Sequence, residues 1–238
     1  MTAAVPGTLH LLPSSLGHDD PALFPALLLD VVGSVDWMIA ENPRTTRRFL
    51  RAIGYQGDFD RFRVDVLDKR ADDETVLNWA MEIAAGSSAI YVSEAGMPCV
   101  ADPGGLLVRF CHDMGARVRP IPGPSSIILA LAASGLNGQD FRFSGYLPIH
   151  AKERRRALRD LERDSASTGA ARIFMEAPYR NEAMFEACLE SLREDTFLTV
   201  AVDLTTPDEF VRTLTVGRWS REGSPRLHKR PALFILQA

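Results

Sequence analysis

The sequence predicts an α/β chain in two domains, the first built on a mostly parallel sheet and the second on a mixed one. Three observations carry this. From Thr8 to Ala133 short strand-like apolar runs alternate with longer helical runs, the rhythm of parallel strands joined by helical crossovers. At Gly135-Leu136-Asn137-Gly138-Gln139 that rhythm pauses in a polar, glycine-bearing joint, which sets the expected domains at residues 1–137 and 138–238. Beyond Leu192 strand-like runs follow one another with little helix between them, as a mixed or antiparallel sheet requires.

In order along the chain, Thr8 to Leu12 reads as a strand, Pro21 to Val32 as a helix, Trp37 to Ala40 as a strand and Thr45 to Ile53 as an amphipathic helix. Asp73 to Ala85 opens with acids that suit the positive end of a helix, and the apolar run Ala89 to Val92 follows as a buried strand. Helix Gly105 to Met114, strand Arg117 to Ile121 and helix Ser125 to Ala133 complete the first half. The second half restarts with strand Phe141 to Gly145, helix Lys152 to Arg163, strand Ile173 to Glu176 and helix Asn181 to Leu192. Phe197 to Val202, Val211 to Val216 and Leu233 to Leu236 then read as strands.

The 238 residues are 46% apolar and 24% charged with a formal net charge of −4, which excludes a disordered, fibrous or disulfide-stapled chain. The longest apolar stretches, Ala22 to Leu29 and Ile127 to Ala133, fall short of the roughly 18 residues that span a bilayer. No membrane helix is expected, and Met1 to Leu12 has no export signal. Cys99, Cys111 and Cys188 have no metal or disulfide spacing and read as thiols in a reducing cytoplasm. His10, His18, His112, His150 and His228 are scattered, so no metal site is expected. Phosphate-binding and dinucleotide-binding glycine motifs and the hydrolase nucleophile elbow are absent. Two basic runs break the mildly acidic background. Arg44, Arg47, Arg48 and Arg51 share a helix face, and Lys152, Arg154, Arg155, Arg156, Arg159 and Arg163 crowd a second helix. Either run alone reads as a solvated helix face.

Ligands bind at the carboxyl ends of strands in open α/β sheets, and this chain spends its glycines and prolines there. Ser93-Glu94-Ala95-Gly96-Met97-Pro98-Cys99-Val100-Ala101-Asp102-Pro103-Gly104-Gly105 follows one strand and Pro122-Gly123-Pro124-Ser125-Ser126 the next. Gly96 and Gly123 are expected to let backbone approach a flat polar ligand, while Asp102 and Ser125 also suit helix N-caps.

Ser93 to Gly104 resembles the S-D-A-G-x-P-x-x-x-D-P-G signature of the tetrapyrrole methylase superfamily, in the branch containing the small-subunit ribosomal RNA ribose 2′-O-methyltransferase. Pro122 to Ser126 with Ala130-Leu131 and Ser134-Gly135-Leu136 is similar to that branch's P-G-P-S-A…A-L…S-G-L. Gly7-Thr8-Leu9 with Pro13, Ala40 to Arg47, Gly145-Tyr146-Leu147-Pro148 and Glu176-Ala177-Pro178-Tyr179-Arg180 match further blocks in the same order. The resemblance implies two α/β domains with S-adenosylmethionine held in the cleft between them, and a homodimer. It implies cofactor contacts at Pro13, Ser93, Glu94, Gly96, Met97, Pro98, Gly123, Ser125, Ser126, Met175 and Glu176. The chain departs from the pattern at Glu94 for an aspartate, at Asn42-Pro43, at Tyr179 for a histidine and at Thr206 for a lysine, and it ends at Ala238 without the branch's extra C-terminal segment.

The implied activity is S-adenosylmethionine-dependent methyl transfer to ribosomal RNA. Its rivals are a small-molecule, tetrapyrrole-like methyltransferase and a non-catalytic S-adenosylmethionine-binding protein. Glu41, Glu176, Tyr179 and Lys152 are candidates to take a proton from the acceptor, and Arg44, Arg154 and Arg180 to clamp an anion; none is assigned as catalytic.

Overall fold

The computed structural model describes residues 5–238. The chain divides into two compact units, one ending at Ser125 and the other running Ser126–Ala238.

The first unit is a five-stranded parallel sheet of β1 (Thr8–Leu12), β2 (Trp37–Ala40), β3 (Arg63–Val66), β4 (Ala89–Val92) and β5 (Arg117–Pro120), in the order β3-β2-β4-β1-β5. Four helices connect these strands: α1 (Ala26–Ser34), α2 (Pro43–Ala52), α3 (Asp73–Ala84) and α4 (Gly104–Asp113). Side chains alternate faces along a strand, and this sheet uses both. Leu12, Met38, Ala40, Ile90 and Val92 pack with α1 and α2, while Leu9, Leu11, Trp37, Ile39, Ala89 and Tyr91 pack with α3 and α4. Burial on both faces explains why β2 and β4 read as unbroken apolar runs.

Two local differences from the sequence reading have simple causes. The expected helix Pro21 to Val32 is a 3-10 turn at Pro21–Leu23 followed by α1, because Pro25 forces Phe24 into extended backbone at φ −122°. The edge strand β3, Arg-Val-Asp-Val, has too little apolar character to announce itself; it is held by pairing with β2 and by the Trp37 indole donating to Asp65 at 2.7 Å.

The second unit is a mixed sheet of β6 (Phe141–Tyr146), β7 (Ala171–Met175), β8 (Phe197–Val202), β9 (Phe210–Thr215) and β10 (Ala232–Gln237), ordered β6-β7-β10-β8-β9. Only β6 and β7 are parallel. Helices α6 (Ala151–Thr168), α7 (Asn181–Ser191) and α8 (Val216–Glu222) cover one face, over a core centred on Phe174, Phe234, Phe185 and Trp219. The short α8 falls where little helix was expected. Trp219 anchors it, fully buried and donating its indole N–H to the Leu198 carbonyl at 2.8 Å.

Helix α5 (Ser126–Ser134) packs on β9 and β10, and the Thr213 hydroxyl donates to the Ser134 carbonyl at 2.7 Å. The joint expected to separate the domains therefore lies inside the second unit. Asn137 is tied there, its amide N–H to Gln237 Oε1 at 2.8 Å and its side chain to the Gly169 carbonyl at 3.0 Å.

Two expected outcomes follow from the first sheet. A Cβ on Gly104 would lie 2.1 Å from the ring of Tyr91, which is fully buried, so Gly104→Ala lowers stability by about 1–3 kcal/mol in urea unfolding. His10 lies in the middle of β1, where burial, then Arg119 and Arg117, hold its imidazole below the ordinary value of 6.5. The unfolded chain takes up that proton first, so this contribution to stability is present above 6.5 and is lost as pH falls through the folded-state value. Unfolding midpoints taken between about pH 7.5 and about pH 5.5 should fall less steeply for His10→Leu than for the unaltered protein; equal slopes contradict this.

Candidate functional site

The chain leaves β1 toward β2 on one side of the sheet and leaves β4 toward β5 on the other, which makes the carboxyl ends of β1 and β4 a topological switch point. The glycine- and proline-rich loops converge there.

The loop after β4 is stitched to the loop after β1. Ser14 N–H donates to the Gly96 carbonyl at 2.9 Å, Gly96 N–H returns to the Ser15 carbonyl at 3.4 Å, and the Ser14 hydroxyl reaches the Ser93 carbonyl at 3.1 Å. Gly96 has φ +70°, a conformation that glycine adopts without penalty. A second stitch joins this loop to the end of β2. Glu94 N–H donates to Glu41 Oε2 at 3.1 Å, and the Thr45 hydroxyl donates to Glu94 Oε1 at 2.8 Å. The longer acid at position 94 thus reaches a hydroxyl on α2.

Asp102 holds the far side of the loop. Its carboxylate accepts from Cys99 N–H at 2.7 Å, from Gly104 N–H at 2.7 Å and from the Tyr91 hydroxyl at 3.1 Å. These bonds stabilise left-handed backbone at Cys99 (φ 66°) and Ala101 (φ 65°), costly for residues with a Cβ. Asp102 is therefore the cap and clasp of the loop. Burial, Asp102 and Cys111 push the Cys99 thiol up to about 12, so it is no nucleophile at neutral pH. Burial and Asp102 likewise raise Tyr91 above its ordinary value.

Pro13 and Gly123 form a third contact. A Cβ on Gly123 would lie 2.2 Å from Pro13 Cγ, and one on Gly96 2.9 Å from Leu16 Cδ2. Packing against the Pro13 ring thus demands glycine at 123 and the positive φ favours it at 96, where the Leu16 tip could give way, whatever ligand their backbone meets.

Pro13, Ser93, Glu94, Gly96, Met97, Pro98 and Gly123 are brought together in the first unit. Ser93 is 4% exposed, and its hydroxyl has no hydrogen-bond partner among the described residues. A buried hydroxyl left unpaired is costly, and Ser93 borders a small recess with Thr45, Arg48 and Glu94. Beside it a cleft of about 310 Å³ is lined by Glu41, Asn42, Asp68, Lys69, Arg70 and Glu94. Ser125 ends the first unit and Ser126 opens α5 in the second.

Met175 and Glu176 lie at the carboxyl end of β7 in the second unit. The Glu176 carboxylate is buried, and its Oε1 accepts from Ala177 N–H at 2.7 Å and from the Arg180 guanidinium, which stacks over the Tyr179 ring at 5.2 Å. Oε1 of Glu176 is thus committed to Arg180 and Ala177, while Glu176 Oε2 and Arg180 Nε are buried without a hydrogen-bond partner among the described residues. Arg154 is buried on α6 with one N–H on the Ile149 carbonyl at 3.3 Å, while Tyr179 and Lys152 are exposed. A larger cavity in this unit, about 440 Å³ and bordered by Asn137, Phe197, Thr213 and Gln237, has no ionisable side chain in its wall. Among the described residues no group of three His, Cys, Asp or Glu side chains can hold a metal ion, and no helix is long and apolar enough to cross a membrane.

Sequence reasoning missed Thr45 and Ser14 as parts of this centre, because the pairing of strand ends that brings them to the loop leaves no local signal. Asp102 was visible as a helix cap and as the second aspartate of the signature, but not as the clasp of the loop.

The family model of the tetrapyrrole (corrin/porphyrin) methylases matches residues 15–219. The chain is 32% identical to ribosomal RNA small subunit methyltransferase I of Escherichia coli O157:H7, covering 96% of this chain and 77% of that protein. It is 31% identical to the protein of the same name from Bacillus subtilis (strain 168), covering 92% and 72% respectively. The fold is similar to the X-ray structure of a cobalamin biosynthetic enzyme, cobalt precorrin-4 methyltransferase, with a TM-score of 0.59, 16% identity, and 97% and 94% of the two chains covered. With the family matched from the β1 loop through α8 on a switch-point site of this kind, the chain belongs to the tetrapyrrole (corrin/porphyrin) methylases.

Proposed function

We propose that this protein is an S-adenosylmethionine-dependent methyltransferase acting on small-subunit ribosomal RNA, at a ribose 2′-hydroxyl. The observation that carries the reading is its similarity, over nearly the whole chain, to two methyltransferases named for that RNA. The 2′-hydroxyl comes from the collinear motifs, from Gly7 to Arg180.

The first-unit loops suit the cofactor. The unpartnered Ser93 hydroxyl offers a buried hydrogen-bonding group three residues before the turn at Gly96, and Pro13 packs tightly against Gly123 between the loops after β1 and β5. In this reading Pro13, Ser93, Glu94, Gly96, Met97, Pro98, Gly123 and Ser125, all in the first unit, contribute to holding the cofactor. Bound S-adenosylmethionine supplies a methyl group already activated as a sulfonium. The protein's own share is then alignment and exclusion of water, which the rigid stitching of the loops serves. Glu41 is oriented by Glu94 N–H at the edge of the cleft, where an acceptor hydroxyl needs a carboxylate to receive its proton. The same reading includes a homodimer working in the cytoplasm.

Labelled methyl groups from S-adenosylmethionine should enter small-subunit ribosomal RNA and survive as an alkali-resistant ribose methylation. Incorporation only into small molecules, or none into any fraction, overturns the acceptor. Ser93→Ala removes no bond within the protein, so it should leave the urea midpoint nearly unchanged while weakening S-adenosylmethionine binding about 2- to 10-fold by calorimetry. Unchanged affinity removes Ser93 from the cofactor set.

A further inference from the structure

The structure separates the two basic runs. On α6, Arg155 pairs with Glu190 at 2.8 Å, Arg156 with Asp160 at 3.8 Å, and Arg163 also with Asp160. Three of that run's cations are thus paired, through Asp160 on α6 itself and Glu190 on α7, while Lys152, Arg154 and Arg159 have no carboxylate within 4 Å among the described residues. On α2, by contrast, Arg44, Arg47, Arg48 and Arg51 are all exposed, and among the described residues none has a carboxylate within 4 Å of its guanidinium. Four unpaired cations on one short helix are costly through mutual repulsion, and a chain with a net charge of −4 had acids available to pair them.

The arginines are also oriented. Arg51 donates to the Tyr55 carbonyl at 2.7 Å and lies 4.6 Å from the centroid of the Phe59 ring, and Arg47 approaches the same ring at 5.8 Å. Aromatic support fixes the planes of two guanidinium groups without consuming their charge. Arg48 meanwhile lines the recess that Ser93 borders, and Asn42, which caps α2 by accepting from Arg44 N–H and Thr45 N–H, lines the adjoining cleft. The ridge therefore starts at the candidate site and runs away from it. From Arg44 to Arg51 it rises about 10 Å, which matches about three successive phosphates along one strand.

We propose that α2 is the phosphate-tracking surface of the first unit, on which a stretch of the RNA acceptor lies with its backbone along Arg44, Arg47, Arg48 and Arg51 as it enters the cleft. This rests on the ribosomal RNA reading above and adds to it where the strand runs. Phosphate contacts position a strand without reading its sequence, so the ridge acts on affinity and orientation rather than on base choice.

The test measures binding of transcribed small-subunit ribosomal RNA across a salt series for the unaltered protein, for Arg44→Ala/Arg47→Ala and for Arg155→Ala/Arg156→Ala on α6. Each lost single-strand phosphate contact removes about 0.7 from the slope of log affinity against log salt, so the α2 pair should flatten it by about 1.4 and weaken binding about 25-fold at 0.1 M salt. The α6 pair should leave the slope unchanged. Calorimetry with S-adenosylmethionine should give one affinity for all three proteins, which separates loss of RNA from loss of fold. If the unaltered protein methylates the RNA but the α2 pair keeps its slope, the ridge is a solvated face and this proposal falls alone. If the α6 pair flattens the slope equally, the α2 assignment is overturned. If the unaltered protein neither binds nor methylates the RNA, the functional reading falls and the ridge proposal with it.

Discussion

The Asp102 carboxylate is the interaction on which the candidate site depends. By accepting from Cys99 N–H, Gly104 N–H and the Tyr91 hydroxyl it ties three things together: left-handed backbone in the loop, the first turn of α4, and the buried face of β4. The loop needs such a clasp, because left-handed residues with a Cβ are unfavourable unless surrounding bonds over-determine them. With its far end held, the near end can interlock with the β1 loop through Ser14 and Gly96 and with β2 through Glu41 and Thr45. The carboxyl end of the sheet is thus an assembly of strand ends bonded to one another, which would suit the proposed site, whose contribution is alignment.

The parallel sheet makes this assembly possible. The order β3-β2-β4-β1-β5 sets β1 beside β4, so residues 79 apart in sequence, Ser14 and Ser93, meet across one hydrogen bond. Both strands are buried on both faces and cannot slip without exposing apolar side chains. Gly104 against Tyr91 and Gly123 against Pro13 extend the same constraint to the loops. These glycines serve packing first.

Much of the fold was legible because its determinants are local. β2 and β4 announce themselves as apolar runs, and α3 by its opening acids. β3 and α8 escaped for the opposite reason: they owe their form to the Trp37–Asp65 bond and to Trp219 under β8, contacts between residues far apart in sequence. The site was half legible. Motif order pointed to Ser93, Gly96 and Gly123, whereas Thr45 under Glu94 and the three-way role of Asp102 appear only when strand ends are set side by side. The basic run on α6 has Glu153, Asp160 and Glu162 among its cations in the sequence itself, whereas the pairing of Arg155 with Glu190 on α7 appears only in the fold.

We propose that the interlocked loops at the ends of β1, β4 and β5 receive S-adenosylmethionine, and amide hydrogen exchange with and without that ligand tests it. Ligand-dependent protection is expected in Ser93 to Ala101 and in the segments around Ser14 and Gly123, with the interior of β2 and β4 unchanged. Protection absent from the Ser93 loop while appearing elsewhere in the chain would contradict it.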